Sequence, residues 1–297
     1  MYIELDGLEK GCHAEPVEAC GQRPLRATLR QAQGDSLYRM SGVTLNISLS
    51  NTMEAKPYLK EILLKRELIP SFAEYPFHIP AIKNLSSLQF HPDVTFIIGE
   101  NGSGKSTLIE AIALNLGFGI EGGTKNVQVQ THNNASPLSG YLTGVKSFKK
   151  PSNYYFLRAE SYYNVATYME EISDEEKFEK YYRVKSLHQC SHGESFMVTL
   201  TKKLKGNGLY IFDEPESALS PSRQLAALSA INNLVNANSQ FIIATHSPIL
   251  LAYPNATIYQ LDETGIKKVN YEETEHFMVT KYFLNNFKEM TGILFDN

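Results

Sequence analysis

Residues 99–107 read GENGSGKST and match G-x-x-x-x-G-K-[ST], with Gly99, Gly104, Lys105 and Ser106 at the fixed positions. Glycines let backbone N–H groups close around phosphate oxygens, and a helix starting behind them adds partial positive charge. The run Gly99, Glu100, Asn101, Gly102, Ser103, Gly104, Lys105, Ser106 and Thr107 is therefore expected to cradle a nucleotide's phosphates. Lys105 would contact the β- and γ-phosphates, while the Ser106 hydroxyl would ligate Mg²⁺. Three later strings carry side chains able to do chemistry. Asp213 and Glu214 are adjacent carboxylates closing LYIFDEP, His246 closes FIIATHS, and Ser191, His192, Gly193 and Glu194 open SHGES. Alone, each has an ordinary structural explanation. A carboxylate pair can sit in a turn, a lone histidine can be hydrogen-bonded scaffold, and the serine string can simply cap a helix. Their order behind a phosphate loop is what joins them.

The flanking elements suit that order. Val94 to Ile98 is a short apolar, β-branched run of the kind that forms a buried strand. Leu108, Ile109, Ile112, Ala113 and Leu116 then recur at helical spacing, and Gly117 is placed to end the helix. Tyr154 to Glu160 reads as a strand ending in polar groups. Phe196, Met197, Leu200 and Leu204 mark a helix stopped by Gly206-Asn207-Gly208. Leu209 to Phe212 and Phe241 to Ala244 read as strands. Between them Ser220 and Pro221 suit the N-cap and first turn of a helix whose stripe Leu225, Leu228, Ile231 and Leu234 is expected to be core. Upstream, Glu54 to Leu68 looks helical. Phe77 to Ile82 reads as an edge strand, because Pro80 cannot sit mid-sheet, and Ser86 to Phe90 as a second strand. Tyr75 and Phe77 could stack on adenine, although core packing is the simpler role. Gly119 to Pro137 is loop with one short strand near Val127 to Val129, and Met169 to Lys185 is an acidic, solvated helical face. From Ala256 the pattern predicts a strand pair around Gly265 and a terminal helix near Thr280 to Met290. No long heptad segment interrupts the motifs, so no coiled-coil arm is expected.

Hydrophobic residues at 42% and charged residues at 20% describe a globular chain with enough apolar surface for a full core. A net charge of -4 gives no general electrostatic reason to expect nucleic acid. No run of about eighteen apolar residues is present to span a membrane. The cysteines, Cys12, Cys20 and Cys190, have no C-x-x-C spacing and suggest neither a disulfide framework nor a zinc site. No secretory leader is recognisable, and the expected location is the reducing cytoplasm.

Residues 1–52 differ from the rest. Gly11 to Arg39 mixes Gly, Pro, Gln, Arg and Ala without a sustained period, and only Val43, Leu45, Ile47 and Leu49 alternate, enough for one isolated strand. The string HAEPVEAC…LRQAQGDS resembles the translated product of a bacterial intergenic repeat. The expectation is a non-native extension with Met53 as the natural start, the alternative being a disordered regulatory arm.

From Met53 to the C-terminus the chain resembles the ATP-binding-cassette ATPases, in particular the soluble AAA-type branch with RecF- and SMC-like heads. The resemblance rests on the four motifs: the P-loop, SHGES at the place of the transporter signature LSGGQ, YIFDEP as the Walker B strand with SALS as the D-loop, and ATHS. It implies an α/β fold, with a mostly parallel P-loop sheet, an antiparallel β subdomain and a small helical lobe bearing Ser191. It also implies roles. Asp213 would bind Mg²⁺ through water, Glu214 would polarise the attacking water, and His246 would contact the γ-phosphate. Ser191 and Gly193 would touch ATP held by a second copy, an ATP-dependent homodimer. His192 and Glu194 depart from the transporter signature. No glutamine ends a strand where the Q-loop should be, and Glu160 stands in its place. The implied function is Mg²⁺-dependent ATP hydrolysis acting on a protein effector such as a nuclease, toxin or repair factor. A P-loop kinase and a DNA-associated switch are the alternatives, and a membrane partner is not expected.

Overall fold

The computed structural model describes residues 56–125, 136–162, 164–165, 167–168 and 191–295, together with strands at residues 30–32, 35–40 and 43–47. The chain divides into two compact units, Met1–Glu54 and Ala55–Asn297. The first contains β1 (Arg30–Ala32), β2 (Asp35–Met40) and β3 (Val43–Ile47) in an antiparallel sheet of that order. The strand expected at residues 43–49 is therefore not isolated. Met40 pairs with Val43, a spacing that leaves only Ser41 and Gly42 between the strands, which is a hairpin signal in its own right.

The second unit begins with β4 (Leu59–Leu64), followed by α1 (Pro80–Lys83), β5 (Ser87–Gln89), β6 (Val94–Gly99) and α2 (Lys105–Asn115). Next come β7 (Leu142–Lys146), β8 (Asn153–Arg158), α3 (His192–Val198), β9 (Gly208–Asp213), α4 (Pro221–Asn236) and β10 (Gln240–Ala244). Last are α5 (Pro248–Leu251), β11 (Thr257–Asp262), β12 (Gly265–Val269) and α6 (Glu275–Phe295). The main sheet runs β12-β11-β6-β10-β9-β8, with β11 through β8 parallel and β12 antiparallel at the edge. A smaller antiparallel sheet, β5-β4-β7, completes the α/β architecture.

Every residue of β6, β9 and β10 is buried, as expected for parallel strands covered on both faces. Their alternation separates two cores. Ile97, Ile211 and Ile242 pack with α2 and β4, whereas Phe96, Phe212, Phe241 and Ile243 pack with α3, α4 and α5.

Three local expectations are corrected. Residues 59–64 form β4 rather than helix. A bulge between Leu59 and Glu61 shifts the alternation, so buried Leu59 and Ile62 stand three apart and imitate a helical repeat. Residues 77–82 are not an edge strand, since Pro80 occupies the first turn of α1, where its fixed φ and missing N–H cost nothing. On α4, Leu225 is 60% exposed, and the buried stripe is Ala227, Ala230, Ile231, Leu234 and Val235. The expected strand at Val127–Val129 and the acidic helix at Met169–Lys185 lie outside the described residues. A terminal helix is present but longer than expected, beginning at Glu275 and kinked at Asn286.

Among the described residues, both cores are assembled from Tyr58 onward. A chain beginning at Met53 is accordingly expected to melt at the same temperature as the full chain in differential scanning calorimetry. A large drop would make the first unit part of the folding core.

Candidate functional site

The phosphate loop connects β6 to α2. Gly104, the N-cap of α2, has φ 96°, a left-handed value that disfavours any side chain, and a Cβ there would lie 2.9 Å from Ile79 Cγ2. Lys105 is buried, and its Nζ donates to the carbonyls of Gly99 and Glu100, both at 2.8 Å. Burial lowers its pKa, while Glu214, Asp213 and Glu216 oppose that shift. Phosphate oxygens entering the loop must replace those two carbonyl bonds.

Parallel pairing delivers the carboxylates to the loop. Asp213 ends β9, and the Ser106 hydroxyl at the start of α2 donates to its Oδ1 at 3.2 Å. Burial pushes the Asp213 carboxyl up to about 6 against the pull of Arg158, with Glu214 raising it further and Ser106 lowering it. Two hard oxygen donors side by side fit Mg²⁺, which uses one or two carboxylates plus substrate phosphates and keeps several waters. No group of three or more His, Cys, Asp or Glu among the described residues could hold a metal ion.

Glu214 has φ 51° and ψ 51°, a left-handed backbone on a non-glycine residue just before Pro215. Such conformations cost about 1–2 kcal/mol and persist only where the surroundings enforce them. Here the Glu214 N–H donates to Ala244 O at 3.0 Å, and its carbonyl accepts from the Ser217 N–H and hydroxyl at 3.1 and 2.8 Å. The strained turn brings Glu214 Oε1 to 3.9 Å from His246 Nε2. That nitrogen is buried without a hydrogen-bond partner, and burial, reinforced by Lys105, lowers the ring's pKa.

An open cavity of about 890 Å³ borders the site, lined by Gly99 to Ser103, His246, the end of β11 and the first turns of α6. Lys105, Ser106, Asp213 and Glu214 are not part of its lining. Ser103 Oγ is buried in its wall without a hydrogen-bond partner.

The structure thus brings together the P-loop, the Asp213–Glu214 pair and His246. The SHGES residues stand apart from the cavity. Ser191 caps α3 in a reciprocal box with Glu194, and Arg223 bonds to both, at 3.1 Å each. The Ser191 bonds, backbone first, hold the Glu194 carboxyl below its usual pKa. A Cβ at Gly193 would lie 2.6 Å from Ala218 O, so close packing requires glycine there. Glu160 is exposed over 84% of its side chain and lies 3.6 Å from Arg158. Of the adenine candidates, Phe77 is buried edge-on against Tyr141. Tyr75 is 58% exposed rather than core, with its hydroxyl 3.2 Å from Thr107 Oγ1.

Four residues emerge only from the fold. Arg158, the charge closing an apolar strand, lies 2.7 Å from Glu110 of α2 and 3.8 Å from Asp213. Half-buried Glu216 accepts from Thr245 Oγ1 at 2.7 Å and from the His246 N–H at 2.5 Å, bracing the segment that carries the histidine. Burial is also the main cause of its raised pKa. Arg223 and His276 lie in no recognisable string, and the sequence offered no signal for either.

The family model described as an AAA domain matches residues 76–240, more than half of the chain. The chain belongs to this AAA-domain family. Its phosphate loop, Asp213–Glu214 strand end and the helix α3 capped by Ser191 fall inside the matched stretch, while His246 and α6 lie beyond it. No curated protein matches the chain. Among solved structures, similarity extends to an SMC head domain from Thermotoga maritima, at 17% identity over 71% of this chain and 99% of that one, with a TM-score of 0.41. An SMC head bound to the C-winged helix domain of ScpA gives 15% identity, 72% and 98% coverage, and a TM-score of 0.43. A nucleotide-free ATP-binding cassette from an ABC transporter gives 20% identity, 66% and 87% coverage, and a TM-score of 0.39. No helix among the described residues is long and apolar enough to cross a membrane.

The raised Asp213 pKa sets a pH dependence. The folded protein holds this proton more tightly than the unfolded chain, whose ordinary value is 3.8, so stability is lost as pH rises from there through about 6. Asp213→Asn is expected to raise the melting temperature of the metal-free protein at pH 7.5 by roughly 6–12 °C, from a shift of about two pKa units at about 1.4 kcal/mol each and 2–4 °C per kcal/mol. The gain should vanish near pH 4. A gain that is the same at both pH values would mean that burial does not disfavour the Asp213 carboxylate.

Proposed function

We propose that the protein binds and hydrolyses ATP with Mg²⁺, as a soluble ABC-type ATPase whose heads close around nucleotide. The observation that carries this reading is the meeting, at the ends of β6, β9 and β10, of the P-loop lysine, the Ser106–Asp213 pair and the Glu214–His246 pair. Bound Mg²⁺ would neutralise charge on the phosphate oxygens. Lys105 exchanges its two loop carbonyls for phosphate. Glu214, on its strained turn, orients a water and accepts its proton, and His246 Nε2 faces the γ-phosphate as a hydrogen-bond donor. Excluding bulk water strengthens each of these electrostatic contacts as charge develops.

Ser191, His192, Gly193 and Glu194 are proposed to act across a head-to-tail homodimer, with Ser191 and Gly193 reaching ATP held by the second copy. The reading is supported by a signature string at the start of α3, where Arg223 hydrogen-bonds both Ser191 and Glu194, that is not part of its own chain's cavity lining. The effector is proposed to be a protein of repair, defence or regulation, such as a nuclease or toxin, and the working location the cytoplasm. Residues 1–52 are proposed to be dispensable to this activity.

Lys105→Ala is expected to abolish ATP affinity in calorimetry while leaving the circular dichroism spectrum unchanged, because the lysine contributes a point charge rather than packing. Unchanged affinity would remove the P-loop from the mechanism. Glu214→Gln should slow turnover by about a hundredfold or more, the scale of a general base, and trap an ATP-bound dimer in size-exclusion chromatography with light scattering. Adding Ser191→Arg to that variant should return it to monomer with ATP still bound. A Glu214→Gln protein that stays monomeric with ATP bound would contradict the head-to-tail mechanism.

A further inference from the structure

His276, in the first turn of α6, belongs to none of the motifs, yet its Nε2 lies 3.0 Å from Nδ1 of His246. The rings are 5.2 Å apart and inclined at 47°, so the contact is an in-plane hydrogen bond rather than stacking. The start of α6 is fixed in place from two directions. Fully buried Thr274 caps it, accepting from the Phe277 N–H at 3.3 Å and donating to Tyr271 O at 2.7 Å. Tyr271 in turn donates its hydroxyl to Pro248 O at 2.8 Å, tying the turn to the helix that follows His246. The anchoring is local, since no residue of α6 itself is buried, and it holds the one turn that carries His276.

Burial lowers the pKa of both rings, so at neutral pH the pair shares a single N–H···N bond with two possible arrangements. In one, His246 Nδ1–H donates, which leaves His276 Nδ1–H as a buried donor with no acceptor and His246 Nε2 as a bare lone pair. In the other, His276 Nε2–H donates, and the remaining N–H sits on His246 Nε2, 3.9 Å from the Glu214 carboxylate. Each arrangement leaves one buried N–H beyond hydrogen-bond reach of an acceptor, but only the second points it at a carboxylate, which favours the N–H that faces it. Lys105 and Glu275 also act on the pair. Lys105 lowers the pKa of both rings and so opposes a second proton, whereas Glu275 favours charge on His276. The second arrangement therefore prevails.

We propose that His276 is a positioning residue for His246: by donating to Nδ1 it places the proton on Nε2, the nitrogen that must donate to a γ-phosphate. The inference rests on the ATPase reading above for its consequence, but not for the tautomer itself. Terminal helix α6 thereby acts on the reaction through a single hydrogen bond.

The test combines imidazole ¹⁵N NMR on nucleotide-free protein, with His246 assigned by His246→Ala, and single-turnover phosphate release with ATP. Wild type should show His246 protonated at Nε2. His276→Phe keeps an aromatic ring at that position but removes the donor, and should shift His246 toward the Nδ1–H form. It should also slow phosphate release by about tenfold or more, the scale on which outer hydrogen bonds to a working histidine act, with ATP affinity within about twofold of wild type because Lys105 is untouched. His276→Gln, whose amide can donate to Nδ1, should restore the Nε2–H form and most of the rate. An unchanged tautomer or an unchanged rate in a folded His276→Phe protein overturns the proposal. If wild type releases no phosphate, the ATPase reading fails, while the nucleotide-free spectrum still decides whether His276 sets the tautomer.

Discussion

The register of three parallel strands is the constraint on which the site depends. Asp213 pairs with Ala244, and Ala244 pairs with Ile97, so β9 and β10 end together beside β6, two residues short of its end at Gly99. Their residues are wholly buried, and the charged groups of the site sit at or just beyond the ends of those strands. A shift of one residue in β9 would turn Phe212 away from its core and withdraw Asp213 from Ser106. Packing of the two cores therefore specifies the chemistry as firmly as the fold.

Concentrating polar groups at a buried edge has an electrostatic consequence. Burial raises Asp213 and Glu216 and lowers Lys105, His246 and His276, so charge of either sign is disfavoured without a partner. Among the described residues, Lys105 hydrogen-bonds to loop carbonyls alone, and Ser103 Oγ and His246 Nε2 have no hydrogen-bond partner. On the proposed ATPase reading, a polyanion accompanied by a divalent cation would supply the missing partners. The left-handed Glu214 belongs to the same design, because a relaxed backbone would carry its carboxylate elsewhere. Stability is given up locally so that bound ligand completes the site.

Much of this was legible before any coordinates. The P-loop, the Asp213–Glu214 pair and His246 each sit at the end of an apolar run, and a buried strand followed by a polar residue is a local signal. What escaped was non-local or broken by irregularity. The bulge in β4 disguised a strand as a helix, and Pro80 suits an edge strand and a helix start equally well. Leu225 fitted an apolar stripe that α4 turns slightly away from the core. Arg158, Glu216, Arg223 and His276 act through partners 29 or more residues distant, such as Thr245 for Glu216, apart from the neighbouring Glu160 beside Arg158. No window along the chain contains those pairs.

The central claim is that water held by Glu214 attacks the γ-phosphorus of ATP bound at the P-loop. Turnover in water enriched in heavy oxygen, followed by mass spectrometry of both products, tests it directly. Attack at the γ-phosphorus puts one solvent oxygen into inorganic phosphate and none into ADP. Label in ADP, or consumption of ATP without labelled phosphate, would contradict the account.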